Sequence, residues 1–270
     1  MSTQQAPAGT APYVMGVDIG STTSKCVILD STGNILADVI ITVGTGTSGP
    51  ERALTEALDS AGLTREDISC LIATGYGRNT FPGADGQKSE LSCHAKGAGK
   101  LFPEARTVID IGGQDAKVLQ LGPNGTLLNF TMNDKCAAGT GRFLDVMANV
   151  LEMGIQDLAP EGAKSTHPAH ISSTCTVFAE SEVISQLASG TPKADIIAGI
   201  HDSVAQRVAG LAKRTGITPQ VVMTGGVAQN YGVVRSIEKL IEQPITTTPF
   251  AQSVGAYGAA LYALEQVQNG

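Results

Sequence analysis

Two stretches of the sequence repeat one pattern: Val17-Asp18-Ile19-Gly20-Ser21-Thr22-Thr23-Ser24-Lys25 and Ile109-Asp110-Ile111-Gly112-Gly113-Gln114-Asp115-Ala116-Lys117. Each begins as an apolar strand that ends in Asp-Ile-Gly, turns through polar residues, and reaches a lysine that opens a second strand. Because Asp-x-Gly turns are common, chance similarity is the alternative interpretation. The repeat predicts two similar domains that face one another.

The first copy has the chemistry of a phosphate-binding hairpin. Gly20 lets the backbone approach an oxyanion without a Cβ in the way, and consecutive N–H groups in such a turn form an anion-binding nest. Hydroxyl donors follow at positions 21–23. Asp18 would repel phosphate and is better suited to hold a hydrated Mg²⁺, while Lys25 is suited to neutralise phosphate charge. A plain hairpin with a salt-bridged lysine is the alternative.

The second copy differs from the first at its tip. Gly112 and Gly113 permit a still closer approach of the backbone, and Gln114 and Asp115 add a neutral and an acidic polar group. A glutamine near a γ-phosphate orients an attacking water without taking its proton. We therefore expect Gln114 and Asp110 to be catalytic, with Asp110 as a second Mg²⁺ ligand. The alternative for Gln114 is that it only binds nucleotide.

A third motif, Val222-Met223-Thr224-Gly225-Gly226-Val227-Ala228-Gln229-Asn230, runs from an apolar strand through Gly-Gly into a helix. A flat heteroaromatic ring or a ribose can lie on such a backbone, so Gly225, Gly226 and Val227 are candidate nucleoside contacts. Asn230 either caps the helix or hydrogen-bonds the nucleoside. By itself this motif is weak, because strands that run through Gly-Gly into a helix are common.

Strand-like and helix-like segments alternate along the chain, which indicates the α/β class. Strands are predicted at 13–19, 25–29, 38–43, 68–73, 107–111, 116–121, 127–130, 221–224 and 244–247. Helices are predicted at 50–61, 89–101, 141–151, 178–189, 193–215, 231–242 and 254–268.

The composition excludes several classes of protein. With 42% hydrophobic and 16% charged residues, the 270-residue chain is not disordered. The net charge is −7, Trp is absent and no run of Lys and Arg occurs, so we expect no nucleic-acid partner. No stretch approaches the ~18–20 apolar residues of a membrane span, so no membrane association is expected. Residues 1–12 lack the features of a secretory signal, which predicts a flexible tail and a cytoplasmic protein.

The five cysteines are widely spaced, which argues against a disulfide framework. Cys26, Cys70 and Cys93 lie in apolar or helical sequence and are expected in the core. Cys136 and Cys175 lie in polar, loop-like sequence immediately before helical stretches, and a helix N-terminus lowers the pKa of a thiol. A [4Fe–4S] cluster needs four thiolates, so two chains that meet at a two-fold axis would supply them. Two unrelated loop cysteines are the alternative.

The three nucleotide motifs together resemble the actin-like ATPase superfamily, which includes sugar kinases and heat-shock chaperones. Residues 110–117, 133–141 and 172–182 closely resemble the activator components of 2-hydroxyacyl-CoA dehydratases, which are ATPases of the BadF/BadG/BcrA/BcrD type. They resemble the ATPase subunits of benzoyl-CoA reductase less closely. The resemblance covers nearly the whole chain, from residue 13 to residue 263.

The resemblance implies an α/β fold of two ribonuclease-H-like (actin-like ATPase) domains with the nucleotide cleft between them. The first domain would comprise residues 13–104 plus 252–270, and the second, with the cluster cysteines, residues 105–251. Each subunit of a homodimer would bind one MgATP, and one [4Fe–4S] cluster would be held by Cys136 and Cys175 of both subunits. A ferredoxin or flavodoxin would reduce this cluster, and ATP hydrolysis would drive one electron into a 2-hydroxyacyl-CoA dehydratase.

Two other functions stay open on the residues alone. A small-molecule kinase of the same superfamily could use Asp110 or Asp115, but it leaves Cys136 and Cys175 unexplained. An ATP-switched scaffold would need a peptide-binding domain or charge repeats, which we do not find. Glu180 and Glu182, two residues apart on a predicted helix, are expected to be ordinary helix-start carboxylates.

Overall fold

The computed structural model describes residues 9–172 and 174–269, so most of the predicted tail at 1–12 lies outside the described residues. The chain divides into two compact units. Unit 1 comprises 9–103, Pro123–Leu127 and 253–269, and unit 2 comprises Glu104–Gly122 and Leu128–Gln252. The domain bounds drawn from the sequence, 13–104 with 252–270 and 105–251, stay a prediction.

Unit 1 is built on a five-stranded sheet with the order β3-β2-β1-β4-β5. Its strands are β1 (Tyr13–Ile19), β2 (Ser24–Leu29), β3 (Ile35–Ile41), β4 (Ile68–Thr74) and β5 (Gly86–Gln87). Strand β2 runs antiparallel to both β1 and β3, whereas β4 runs parallel to β1 and β5 runs parallel to β4. The helices of this unit are α1 (Gly49–Ala61), α2 (Glu90–Leu101) and α8 (Val254–Asn269). All seven residues of β1 are buried, as expected of a central strand covered on both faces.

Unit 2 is built on a second five-stranded sheet with the order β10-β9-β6-β7-β8. Its strands are β6 (Thr107–Ile111), β7 (Ala116–Leu121), β8 (Leu127–Asn133), β9 (Val221–Thr224) and β10 (Ile245–Thr246). Its helices are α3 (Gly141–Val150), α4 (Leu158–Gly162), α5 (Thr176–Ala188), α6 (Lys193–Thr215) and α7 (Tyr231–Ile241). Helix α6 is the centre of the core, since its apolar residues on several faces are fully buried.

The second sheet repeats the first strand by strand. In unit 1, Asp18 of β1 lies opposite Lys25 of β2 and Thr74 of β4. In unit 2, Asp110 of β6 lies in the same way opposite Lys117 and Thr224. The repeated sequence pattern is therefore a structural repeat, and the predicted α/β class with two similarly built sheets is confirmed.

Most predicted elements agree with the structure in type and position. Strands β1, β6, β7 and β9 and helix α6 begin and end at the predicted residues. The sequence did not predict β5 or α4, because a two-residue strand and a five-residue helix are too short to show periodicity. Among the described residues, no helix is both long and apolar enough to cross a membrane.

Candidate nucleotide and cysteine sites

The first hairpin joins β1 and β2 in unit 1. Its turn is closed by the N–H of Gly20, which donates to the carbonyl of Thr23 at 3.0 Å. The buried carboxylate of Asp18 pairs with Lys25, with 3.0 Å between Oδ2 and Nζ. The hydroxyls of Ser21 and Thr22 are partly exposed and make no hydrogen bond to a described residue, so the turn offers free donors to a ligand.

Two further loops of unit 1 pack against this hairpin. The N–H of Thr45 donates to the carbonyl of Gly20, and the N–H of Gly77 donates to that of Ile19, both at 2.9 Å. Gly75 has φ +84°, and a Cβ there would clash with the carboxylate of Asp18. Sequence reasoning gave these loops no role, although their density of glycine is a signal of close backbone packing.

The second hairpin, in unit 2, holds a buried network of charges. The side chain of Lys117 is 1% exposed; its Nζ lies 2.7 Å from Oδ2 of Asp115 and 3.4 Å from Oδ2 of Asp110. Thr224 donates its hydroxyl to Oδ1 of Asp110 at 2.8 Å. Sequence reasoning did not select Lys117 and Thr224 as site residues. The equivalence of Lys117 with Lys25 in the repeat was the signal that could have found the lysine.

The tip of the second hairpin has an exposed side chain, whereas its backbone is hydrogen-bonded to another element. Gln114 is exposed and makes no hydrogen bond to a described residue. Gly112 accepts the N–H of Gly141 at 2.9 Å, and Gly113 accepts the N–H of Arg142 at 2.8 Å. The hairpin is therefore joined directly to the first turn of α3.

The third motif ends at Asn230, whose side chain caps α7 and keeps one unused hydrogen-bond donor. Gly225 has φ +83°, and a Cβ there would clash with the backbone of Ile111. Oδ1 of Asn230 accepts the N–H groups of Gly232 and Val233 at 3.1 Å each, so the predicted capping role is present. Nδ2 of Asn230 is buried and has no hydrogen-bond partner among the described residues. This orphaned donor fits a ligand such as a nucleoside.

The loop of Cys136 is held by its own side chains. Asn133 donates its amide to the carbonyl of Cys136 at 2.8 Å, and Thr140 donates its hydroxyl to the carbonyl of Ala137 at 2.7 Å. The cysteine is partly exposed. As predicted, α3 begins at Gly141, after the N-cap Thr140, so Cys136 lies in the loop one turn ahead of the helix. The helix dipole falls off within one turn, so it does not act on this thiol directly.

Cys175 does lie at a helix start, as predicted. It is the N-cap residue of α5, in an extended conformation, and its side chain makes no capping hydrogen bond. The loop before it is fixed at Ser172, whose N–H donates to Oε2 of Glu182 at 2.6 Å and whose carbonyl accepts the hydroxyl of Ser203 at 2.9 Å. Glu182 was expected to be an ordinary helix-start carboxylate; instead it anchors the loop that carries a candidate ligand.

Known proteins resemble this chain in both sequence and fold. The model of the BadF/BadG/BcrA/BcrD ATPase family matches residues 15–263. The chain belongs to this family. It is 62% identical over 255 residues to the (R)-2-hydroxyglutaryl-CoA dehydratase activating ATPase of Acidaminococcus fermentans, covering 94% of this chain and 98% of that protein. The ATPase described here therefore matches that relative along nearly its whole length.

Solved structures show the same relationship. The activator of the 2-hydroxyisocaproyl-CoA dehydratase from Clostridium difficile, with bound ADPNP, is 55% identical and superposes with a TM-score of 0.93 over 95% of this chain and 96% of that one. A glucokinase from Streptomyces griseus is 15% identical, with a TM-score of 0.57 over 94% of this chain and 99% of that one. The glucokinase shows a shared fold alone, which is the actin-like fold expected from the motifs.

The cysteines of this ATPase divide into two chemical classes. Burial raises the pKa of the Cys26 and Cys70 thiols, and it raises the pKa of Cys93 to about 11. These three thiols stay protonated inside the core and are unsuited to bind a metal. Cys136 and Cys175 are the two accessible cysteines on loops, so the donor set fits half of a four-thiolate cluster site.

Proposed function

We propose that this ATPase is an ATP-dependent activator that passes one electron from a homodimer-bridging [4Fe–4S] cluster to a 2-hydroxyacyl-CoA dehydratase, driven by MgATP hydrolysis. One observation carries the proposal: the loop of the accessible Cys136 leads into a helix whose first N–H groups are bonded to the second hairpin.

The first part of the proposal concerns nucleotide binding. The free hydroxyls of the first hairpin and the glycines of both hairpins support contacts to phosphate, and the orphaned amide of Asn230 supports a contact to the nucleoside. We assign cofactor binding to Asp18, Gly20, Ser21, Thr22, Thr23, Lys25, Gly112, Gly113, Asp115, Gly225, Gly226, Val227 and Asn230. Asp18 and Asp110 would hold Mg²⁺, which binds through one or two carboxylates together with phosphates.

The catalytic step is assigned to the tip of the second hairpin. The unbonded amide of Gln114 is suited to orient the attacking water, as a glutamine does in other nucleotide hydrolases. Asp110, fixed by Thr224, is suited to position the metal. The ion pair between Asp115 and Lys117 keeps the turn of the hairpin rigid, because it is 2.7 Å long and largely shielded from water.

The second part concerns the cluster. Cys136 and Cys175 of each subunit would be its thiolate ligands, and a bound [4Fe–4S] cluster would supply one-electron redox chemistry at low potential. Cys175 is the N-cap residue of α5, so its thiol lies at the start of this helix. Glu182 and Ser203 hold the Cys175 loop from both sides of Ser172.

The remaining partners are proposed from the family. The chain would act as a homodimer in the cytoplasm, accept electrons from a ferredoxin or flavodoxin, and bind the dehydratase transiently. The relatives that are named activators of dehydratases support the last of these partners.

Iron and acid-labile sulfide per chain, measured on protein purified without oxygen, test the proposal. We expect about two of each per chain, which is half of a [4Fe–4S] unit. Cys136→Ala and Cys175→Ala should lose iron, whereas Cys70→Ala, a change of the same size at a buried thiol, should keep it. Absence of iron after reconstitution would contradict the proposal and would favour the hypothesis that the protein is a kinase of the same fold.

A further inference from the structure

A basic cleft lies beside the Cys136 loop in unit 2. It has a volume of about 250 Å³, and the residues that matter for its chemistry are Met132, Asn133, Gly139, Arg207 and Arg214. We call it the arginine cleft. Its volume is below the ~300–1,000 Å³ of pockets that enclose drug-sized ligands, so it suits one or two side chains from another molecule.

Two arginines line the cleft with guanidinium groups that pair with no residue in the described part of the chain. Arg207 and Arg214 lie two turns apart on α6, so they project from one face of the helix. Both are exposed, and neither makes an ion pair or hydrogen bond to a described residue. Lys135, directly before Cys136, is a further exposed cation. The chain as a whole has a net charge of −7, so this concentration of unpaired positive charge is opposite in sign to the charge of the protein.

The cleft adjoins the Cys136 loop through two contacts. The stem of Arg207 packs on Gly139, where an added Cβ would lie 2.8 Å from Cγ of the arginine. Asn133, which lines the cleft, donates its amide to the carbonyl of Cys136 at 2.8 Å. A group seated in the cleft therefore contacts the segment that carries the candidate ligand.

The chemistry of the cleft favours an acidic protein surface. A guanidinium binds a carboxylate through two parallel hydrogen bonds, and arginine is enriched at interfaces together with methionine and aromatic residues. Leu128, Phe130 and Met132 are exposed on alternate positions of the edge strand β8, so apolar contacts are available where β8 reaches the cleft. Arginines with exposed apolar neighbours are the composition of a docking surface.

We propose that the arginine cleft is the docking site for acidic side chains of the one-electron carrier protein that reduces this activator. The inference rests on the proposed function, because it names the surface by which electrons would reach the Cys136 loop. Charge complementarity would steer the carrier to the cleft and make the encounter dependent on ionic strength.

Isothermal titration of the intact protein with a ferredoxin of acidic surface tests the proposal by a readout that needs no electron transfer. We expect Arg207→Glu with Arg214→Glu to weaken binding at least about tenfold at low salt and to remove most of its salt dependence. The matched control is Lys213→Glu with Lys239→Glu, which changes the net charge equally and should leave binding close to the wild type. Arg207→Lys with Arg214→Lys, which keeps the charge but loses the two parallel hydrogen bonds, should weaken binding less than the glutamate pair and should keep its salt dependence.

Four outcomes would overturn the docking site. The first two are undetectable binding of the carrier to the wild type, and equal binding of the carrier by the wild type and the charge-reversed protein. The third is equal weakening of binding by the control pair. The fourth is a change of self-association in sedimentation, which would assign the cleft to a second copy. Iron content is measured on the same preparations. Iron with unchanged carrier binding refutes the cleft alone, whereas absence of iron refutes the proposed function.

Discussion

The backbone N–H of Gly141 donates to the carbonyl of Gly112 at 2.9 Å, so the start of α3 is bonded to the second hairpin. The first N–H groups of a helix have no partner inside the helix and must find one elsewhere. Here Gly141 and Arg142 find theirs in two consecutive hairpin carbonyls. A displacement of the hairpin would therefore be passed to α3 and to the loop of Cys136 that precedes it.

Hydrogen exchange should detect this connection. If an ATP analogue orders the second hairpin, the amides of Gly141 and Arg142 should exchange more slowly when the analogue is bound, because their acceptors become more rigid. Amides at 149–151, at the far end of α3, serve as the internal control and should change little. Unchanged exchange at Gly141 and Arg142 in the saturated complex would show that the hairpin does not act on α3.

Replacement of Gln114 by alanine should separate hydrolysis from binding. We expect kcat for ATP hydrolysis to fall on the order of a hundredfold, because the water loses its orienting group, with little change in the Kd of an ATP analogue. Gln206→Ala, at an exposed position of α6, is the control. A loss of affinity equal to the loss of rate would instead make Gln114 a binding residue.

Replacement of Lys117 by methionine should destabilise the fold. The change leaves two carboxylates, Asp110 and Asp115, at the end of a buried strand without their shared cation. Breaking a buried ion pair by removing one partner costs about 3–5 kcal/mol, and we expect a loss of unfolding free energy of this order in urea denaturation. Lys164→Met, which breaks an exposed pair with Glu161, should cost less than about 1 kcal/mol. Equal effects of the two changes would contradict the assignment.

Replacement of Glu182 by alanine should loosen the Cys175 loop without unfolding α5. The hydrogen bond from Ser172 to Glu182 has a charged acceptor and a length of 2.6 Å, so its loss should expose the Ser172 amide to exchange. Glu180→Ala, on the same helix, is the matched control. Equal exchange at Ser172 in the two variants would mean that Ser203 alone fixes the loop.

His201 should make the stability depend on pH between about 6.5 and 4. Burial lowers the pKa of this histidine from 6.5 to about 4, against the smaller opposing effect of Asp202. In this window the unfolded chain binds the proton and the folded chain does not, so stability falls as the pH falls. We expect the contribution of His201 between pH 7 and pH 5 to be about 2 kcal/mol.

The measurement compares urea denaturation of the wild type and His201→Leu at both pH values. The variant should lose less stability on acidification, while the exposed His170→Leu should behave as the wild type. An identical pH dependence of wild type and His201→Leu would refute a buried neutral histidine.

Several features of the site followed from the sequence because they are local. The two hairpins needed only glycine, a polar turn and alternation of apolar residues, and Asn230 as a helix cap needed only the start of the helix beside it. The burial of Cys26 and Cys70 likewise followed from their apolar neighbours in the chain, and that of Cys93 from its place on a predicted helix.

Other features depended on contacts between distant residues. Lys117 faces Asp110 within the β6–β7 hairpin, whereas Thr224 reaches Asp110 only because β9 lies beside β6. Glu182 acquired its role because the loop before α5 folds back onto the helix, so that Ser172 bonds to a residue ten positions later in the chain.

The sequence by itself determined the α/β class, the repeated hairpins and the family of this protein, because strand and turn preferences are short-range and the motifs are contiguous. Only the tertiary structure decided that Thr224 joins Asp110 in the buried network, which helix carries the hairpin's hydrogen bonds, and where Arg207 of α6 meets the Cys136 loop. These relationships join residues far apart in the chain, and their energies come from burial and from hydrogen-bond partners that exist only once the sheet and its helices have packed.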